Sequence, residues 1–184
     1  MLTDWGLSHI HVGKENVVLD VGCGGGRTVL KLAATAVEGK VYGVDYSEAS
    51  VAATRSTNAK PINAGRVEVR QASVSHLPFA DNTFDLVTAV ETHFFWPSLS
   101  ADVREILRVM KPGGTLIIIA EIYKGASTRT SRLCEKYAQR IGMTMLSPNE
   151  HRELLAGAGY VYVRVIEKQE SGWICAIGQK PSMS

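Results

Sequence analysis

The chain has 184 residues, 45% hydrophobic and 21% charged, with a formal net charge of +2. That length supports one substantial core, and the apolar share excludes a disordered chain. The basic residues are scattered, without the dense footprint of a nucleic-acid binder, so no nucleic-acid partner is expected.

Residues 1–16 contain Asp4, His9 and His11 and no apolar run, so they do not read as a signal peptide. They are expected to form a short lid in which Trp5, Leu7 and Ile10 supply the apolar contacts. Val17–Val21 is an apolar run broken only by Asp20 and ending in glycines, the pattern of a buried parallel strand. Arg27–Ala36 has helical spacing. Val41–Val44 is a second strand ending at Asp45, and Ser47 caps a helix over Glu48–Asn58. Val67–Gln71 is a third strand. Residues 75–83 form a turn-rich loop, and Phe84–Val90 is a fourth strand. Ser100 is expected to cap a helix over Ala101–Met110, which Lys111–Gly114 stops. Thr115–Glu121 is a fifth strand, and its longest apolar stretch, Leu116–Ala120, is far too short for a membrane span. Ser147, Pro148 and Glu150 make a capping box, with the helix closing at Gly157–Gly159. Tyr160–Glu167 and Trp173–Ile177 are two strands joined by a hairpin turn.

Alternation of this kind predicts an α/β fold over 1–184, a Rossmann-like doubly wound sheet of seven strands, mostly parallel with an antiparallel C-terminal hairpin strand. The cysteines Cys23, Cys134 and Cys175 match neither a disulfide framework nor a zinc motif. They point to a reducing, cytoplasmic compartment. No metal site is expected, since His9 and His11 lack a third ligand.

Chemistry concentrates at Val18–Gly26, VLDVGCGGG. Glycines after a buried strand let a ligand approach the backbone, and the next helix offers its N-terminal amides. Asp45, at the end of the second strand, can accept both hydroxyls of a ribose, at about 1.5–3 kcal/mol per charge-assisted bond. The dinucleotide pattern GxGxxG fails, because its sixth position is Arg27 when counted from Gly22 and Val29 when counted from Gly24. A nicotinamide-dependent oxidoreductase is therefore disfavoured. A polyamine synthase of the same fold would need a cluster of acidic residues for the amine, and none is seen past strand four.

The pattern that stands, Asp20, Gly22, Gly24 and Gly26 as DxGxGxG, resembles the first motif of class I S-adenosylmethionine-dependent methyltransferases. VYGVDYSEASV resembles the family's second acidic motif, VRQASVSHLPFADNTFDLVTAVE its third and fourth, and LRVMKPGGTLIII its entry into strand five. Together they cover Val17–Glu121. The chain is most similar to the small-molecule branch grouped with ubiquinone and menaquinone methyltransferases (type 11). The resemblance implies S-adenosylmethionine as cofactor, held by Asp20, Gly22, Cys23, Gly24, Asp45, Tyr46, Ser73, Val74, Val90 and Glu91. Asp45 takes the ribose, Tyr46 borders the adenine, and Ser73 and Val74 meet the adenine edge. Val90 and Glu91 end strand four beside the transferable methyl. Relatives often carry Asp where Ser73 stands, which shifts adenine contact toward the Val74 amide. Cys23 also fits the small volume that the loop demands.

The same resemblance implies direct in-line transfer to a small-molecule acceptor, with no covalent nucleophile. His93 is the candidate general base, and Phe94, Phe95 and Trp96 are a candidate acceptor wall. Ordinary loop packing explains the same residues. Residues 124–147, with Arg129, Arg132, Tyr137 and Arg140, are a candidate acceptor cover. Because the N-terminal lid is short, the expectation is either a second subunit that completes it, and hence a homodimer, or an acceptor bound in a fairly open site. The alternative is a non-catalytic regulatory or subunit protein that binds the same cofactor.

Overall fold

The computed structural model describes residues 1–182. Seven strands form one sheet: β1 (Val17–Val21), β2 (Lys40–Asp45), β3 (Val67–Gln71), β4 (Phe84–Val90), β5 (Met110–Ala120), β6 (Val161–Lys168) and β7 (Trp173–Gln179). Their order is β3-β2-β1-β4-β5-β7-β6. The first five are parallel, and β7 runs antiparallel between β5 and β6. The predicted fold class and hairpin strand are both present.

Seven helices accompany the sheet: α1 (Leu2–Leu7), α2 (Arg27–Thr35), α3 (Glu48–Thr57), α4 (Ala59–Asn63), α5 (Leu99–Val109), α6 (Arg129–Tyr137) and α7 (Pro148–Gly157). The strands β1, β4 and β5 are hydrophobic on both sides because both faces are covered. On one face Leu19, Val87, Leu116 and Ile118 meet Val103, Ile106 and Val109 of α5 and Leu155 of α7. On the other, Val18, Leu86, Ile117 and Ile119 belong to the cluster that holds Val29 and Leu32 of α2 and Val51 of α3. Sequence order reverses between β1 and β4, which is where doubly wound sheets open a crevice at the carboxyl ends of their strands.

Two local expectations change, and a third holds. The fifth strand starts at Met110 rather than Thr115, so Lys111–Gly114 continues it instead of turning. The cause is pairing at both edges. Met110 pairs with Phe84 across a register shift, while Gly113 N–H donates to Lys180 O and Lys180 N–H donates to Gly114 O. A Cβ on Gly114 would lie 2.8 Å from Lys111 O, so glycine is required at that approach. The helix after strand four begins at Leu99, because Asp102 accepts from Ser98 N–H at 2.8 Å and draws the chain into the turn before Ser100. The capping box at Ser147 forms as expected, Ser147 Oγ accepting from Glu150 N–H and Glu150 from Ser147 N–H.

The N-terminal segment, the expected lid, packs on the sheet near the carboxyl end of β5. Gly6 sits so close to β5 that a Cβ there would fall 2.4 Å from Ile119 Cδ1. Trp5 stacks near Trp173 with ring centroids 5.8 Å apart, and Lys31 of α2 pairs with Asp4. The apolar contacts hold α1 against β5 and β7, and the ion pair ties it to α2.

Candidate functional site

The glycine turn follows β1 directly. Gly22 and Cys23 N–H both donate to Val44 O, at 2.8 and 3.0 Å, tying the turn to β2. Gly22 has φ 72°, and a Cβ there would lie 2.1 Å from Thr92 Oγ1. Two forces therefore demand glycine: a backbone angle that side chains resist and a neighbour that leaves no room. Gly24 is different. It also has positive φ, but nothing lies within 4 Å of where its Cβ would stand, so its missing side chain leaves open space beside the loop.

The outer side of the turn is braced by α3. Thr54 Oγ1 donates to Gly24 O at 2.7 Å, and Asn58 Nδ2 donates to Gly26 O at 3.0 Å. Both residues are fully buried. Cys23 Sγ sits 3.4 Å from Thr54 Oγ1, and burial pushes its thiol up to about 12. It is a packed neutral thiol facing the brace. Sequence reading missed Thr54 and Asn58; the available signal was two polar residues one turn apart on the helix side that the loop must meet.

Asp45 sits at the end of β2. Its carboxylate accepts from Gly24 N–H at 3.0 Å and from Ser47 N–H at 2.9 Å. Those bonds aim it at the glycine loop and leave acceptor capacity on both oxygens. Asp20, one strand over, is buried and accepts from Thr88 Oγ1 at 2.5 Å. Burial pushes its carboxyl up to about 7, against the opposing pull of Thr88.

Two adjoining clefts open at the carboxyl ends of these strands. The larger, about 640 Å³, is lined by Gly22, Gly24, Asp45, Tyr46, Ser73, Val74 and Glu91, and by Thr92, Phe95, Trp96 and Pro97. The smaller, about 440 Å³, is lined by Asp20, Gly22, Cys23, Gly24, Val90 and Glu91, with Gly25, Gly26, Arg27 and Thr28. The ten residues implied as cofactor contacts all line one or both. These volumes match those of ordinary small-molecule sites.

Glu91 belongs to both clefts. Its φ is 57°, a left-handed conformation that non-glycine residues seldom take. Its N–H donates to Ile119 O, and its carboxylate accepts from Glu121 N–H. Burial pushes its carboxyl up to about 7, with the Glu121 N–H pulling the other way.

His93 is not at the cleft, which corrects its candidacy as a base. It is fully buried, and its ring turns away toward α7. His93 Nε2 lies 3.1 Å from His151 Nε2, and His151 Nδ1 lies 2.9 Å from Ser147 O. Because a carbonyl only accepts, His151 Nδ1 carries the hydrogen. His151 Nε2 then accepts, and His93 Nε2 donates. His93 Nδ1 has no partner among the described residues. Burial, then the neighbouring His151, holds His93 well below its ordinary value. A neutral, fully enclosed imidazole cannot reach an acceptor's proton. Of the three aromatics, Phe95 and Trp96 line the larger cleft, while Phe94 is buried with Ile122 and Tyr123.

The expected cover, 124–147, contains α6, and Cys134 of α6 and Ala138 just after it pack with Phe94 and Met145. Neither it nor residues 1–16 lines either cleft. Among the described residues no cluster of three or more metal-ligating side chains occurs.

A family model described as a methyltransferase domain matches residues 19–118, which hold every implied cofactor residue. The chain belongs to the methyltransferase-domain family. It is 29% identical over 154 residues to the O-methyltransferase cnsE of Penicillium expansum, covering 84% of this chain and 55% of that protein. It is 35% identical over 114 residues to the demethylmenaquinone methyltransferase of Lactiplantibacillus plantarum, covering 61% of this chain and 48% of that protein. The chain thus spans about half the length of these curated relatives. A crystal structure of a SAM-dependent methyltransferase from Aquifex aeolicus superposes with a TM-score of 0.79 at 24% identity, covering 97% of this chain and 89% of the other. That likeness is one of fold.

Proposed function

We propose that the protein binds S-adenosylmethionine in the two adjoining clefts and transfers its methyl group to a small-molecule acceptor. One observation carries this reading. The Asp45 carboxylate is fixed against the Gly24 amide at the lip of a cleft that also holds Ser73 and Val74. The site fits the cofactor: a ribose-accepting carboxylate, an apolar adenine slot, and open space beside a glycine loop at a helix start. In it, Asp45 takes the ribose hydroxyls, Tyr46 and Val74 border the adenine, and the start of α2 receives the methionine carboxylate.

The bound cofactor supplies a methyl on a sulfonium, already a good leaving group. The chain's own task is to hold the nucleophile in line with it, and positioning of this kind is worth roughly 7–11 kcal/mol of a barrier. Phe95, Trp96 and Pro97 form an apolar wall on the larger cleft, suited to a planar or aliphatic acceptor. The names of the curated relatives support an acceptor of small-molecule class. A cytoplasmic setting and no nucleic-acid partner belong to the same reading, supported by three free cysteines and scattered basic residues. No described helix is long and apolar enough to cross a membrane. A panel of phenols, quinols, amines and carboxylates with methyl-labelled cofactor tests the reading. Label in one acceptor class is the expected result. Tight cofactor binding with no transfer to any member favours the non-catalytic binding protein instead.

A further inference from the structure

Among the residues around the glycine loop, Gly22, Gly24 and Glu91 are the ones that line both clefts. If adenosine occupies the larger cleft and the amino-acid end the smaller, the sulfur joining them lies at that junction. Glu91 is the junction's one ionisable side chain. We propose that Glu91 is the residue by which the site tells S-adenosylmethionine from its demethylated product, through the positive charge that the sulfur carries only before transfer. This rests on the cofactor reading above and adds the basis for product release.

Three features of Glu91 support it independently. The strained φ of 57° is kept at the end of β4 by the bond from its N–H to Ile119 O, and such strain persists where surrounding structure over-determines it. The carboxylate is oriented by Glu121 N–H rather than left to rotate. The charged groups around it do not already neutralise it. Glu121, after β5, presses against it as a like charge. Asp20 from β1 and Arg27 from α2 share the smaller cleft, Asp45 from β2 shares the larger, and the adjacent His93 is neutral. None of the salt bridges among the described residues includes Glu91.

A sulfonium beside this carboxylate favours its ionised form, whereas the neutral thioether of the product does not. With the free carboxyl near 7, cofactor binding at pH 6 should release a proton that product binding does not. The ratio of product to cofactor dissociation constants should fall as pH drops through about 7.

The experiment is calorimetric titration of the whole chain with S-adenosylmethionine and S-adenosylhomocysteine, at pH 6 and 8, in two buffers of different ionisation enthalpy. Wild type and Glu91→Gln are compared, with thermal melts confirming that the variant folds. The expected result is a cofactor preference that Glu91→Gln reduces at least about fivefold at pH 8, the limit for fully screened charges about 4 Å apart. The excess proton release at pH 6 should vanish with it. If both ligands bind but the preference and proton release are the same in both proteins, Glu91 does not read the charge. If wild type binds neither ligand, the cofactor reading itself falls. Should the variant fail to fold, Asp20→Asn removes the other carboxyl near 7 in the smaller cleft, and a wild-type ratio flat from pH 6 to 8, or a slope that Asp20→Asn abolishes, overturns the proposal.

Discussion

Asp45 does two things with one carboxylate. It anchors the Gly24 and Ser47 amides, and it keeps acceptor capacity for a ribose. Asp45→Ala should therefore weaken S-adenosylmethionine binding about a hundredfold or more, since two charge-assisted bonds at about 1.5–3 kcal/mol each are removed. Calorimetry checks this, and an unchanged affinity would place the ribose elsewhere. His93 carries the opposite kind of prediction. His93→Leu fills a similar volume but leaves His151 Nε2 unpaired, at a cost of about 1–3 kcal/mol near pH 7.5 in chemical denaturation. Both imidazoles are held below their ordinary value of 6.5, so the unfolded chain binds more protons than the folded one as pH falls below it. Their contribution to stability is present above that value and lost on acidification. The gap between wild type and His93→Leu should narrow from pH 7.5 to pH 5, and a constant gap contradicts the neutral buried pair. Sequence reading put Asp45 at a strand end correctly, because a buried apolar run followed by an acid fixes that position. It could not place His93, because its direction depends on His151 on a helix far along the chain.

At the scale of elements, the glycine turn is only as well placed as α3 holds it. Asn58 Nδ2 donates to both Gly26 O and Thr54 O from a fully buried position. Asn58→Ala removes one of two donors from each carbonyl, leaving each a backbone N–H, and should cost about 1–3 kcal/mol in stability. It should also weaken cofactor binding, because the loop loses its brace. Urea denaturation and calorimetry measure the two effects, and a stable variant with full affinity would show that β1 and β2 hold the turn unaided. The strands and α7 were legible because their signals are local: β-branched runs, a glycine-rich turn and a Ser-Pro-x-Glu cap. Lys111–Gly114 was not. Pro and two glycines read as a stop, and only the partners on β4 and at Lys180 turn that stretch into a strand.

At the scale of the whole molecule, residues at or just past the carboxyl ends of β1, β2, β3 and β4 line the clefts, while α1 packs on β5 and β7 through Trp5 and Gly6 without lining either cleft. Trp5→Ala should lower the melting temperature by roughly 4–12 °C, the effect of losing about 2–3 kcal/mol of aromatic packing in a chain of this size. Cofactor affinity should stay within about twofold, whereas a larger loss would return α1 to the role of a lid. The Rossmann-like architecture was readable because alternation of period and turn chemistry dictates it. Where α1 and α6 settle was not, because each is amphipathic enough to cover either a cleft or a sheet face. The most direct test of the central claim is titration of the purified chain with S-adenosylmethionine, S-adenosylhomocysteine and NAD. Saturable binding of the first two at one per chain, with no NAD binding, is the predicted result; NAD binding without S-adenosylmethionine binding would contradict it.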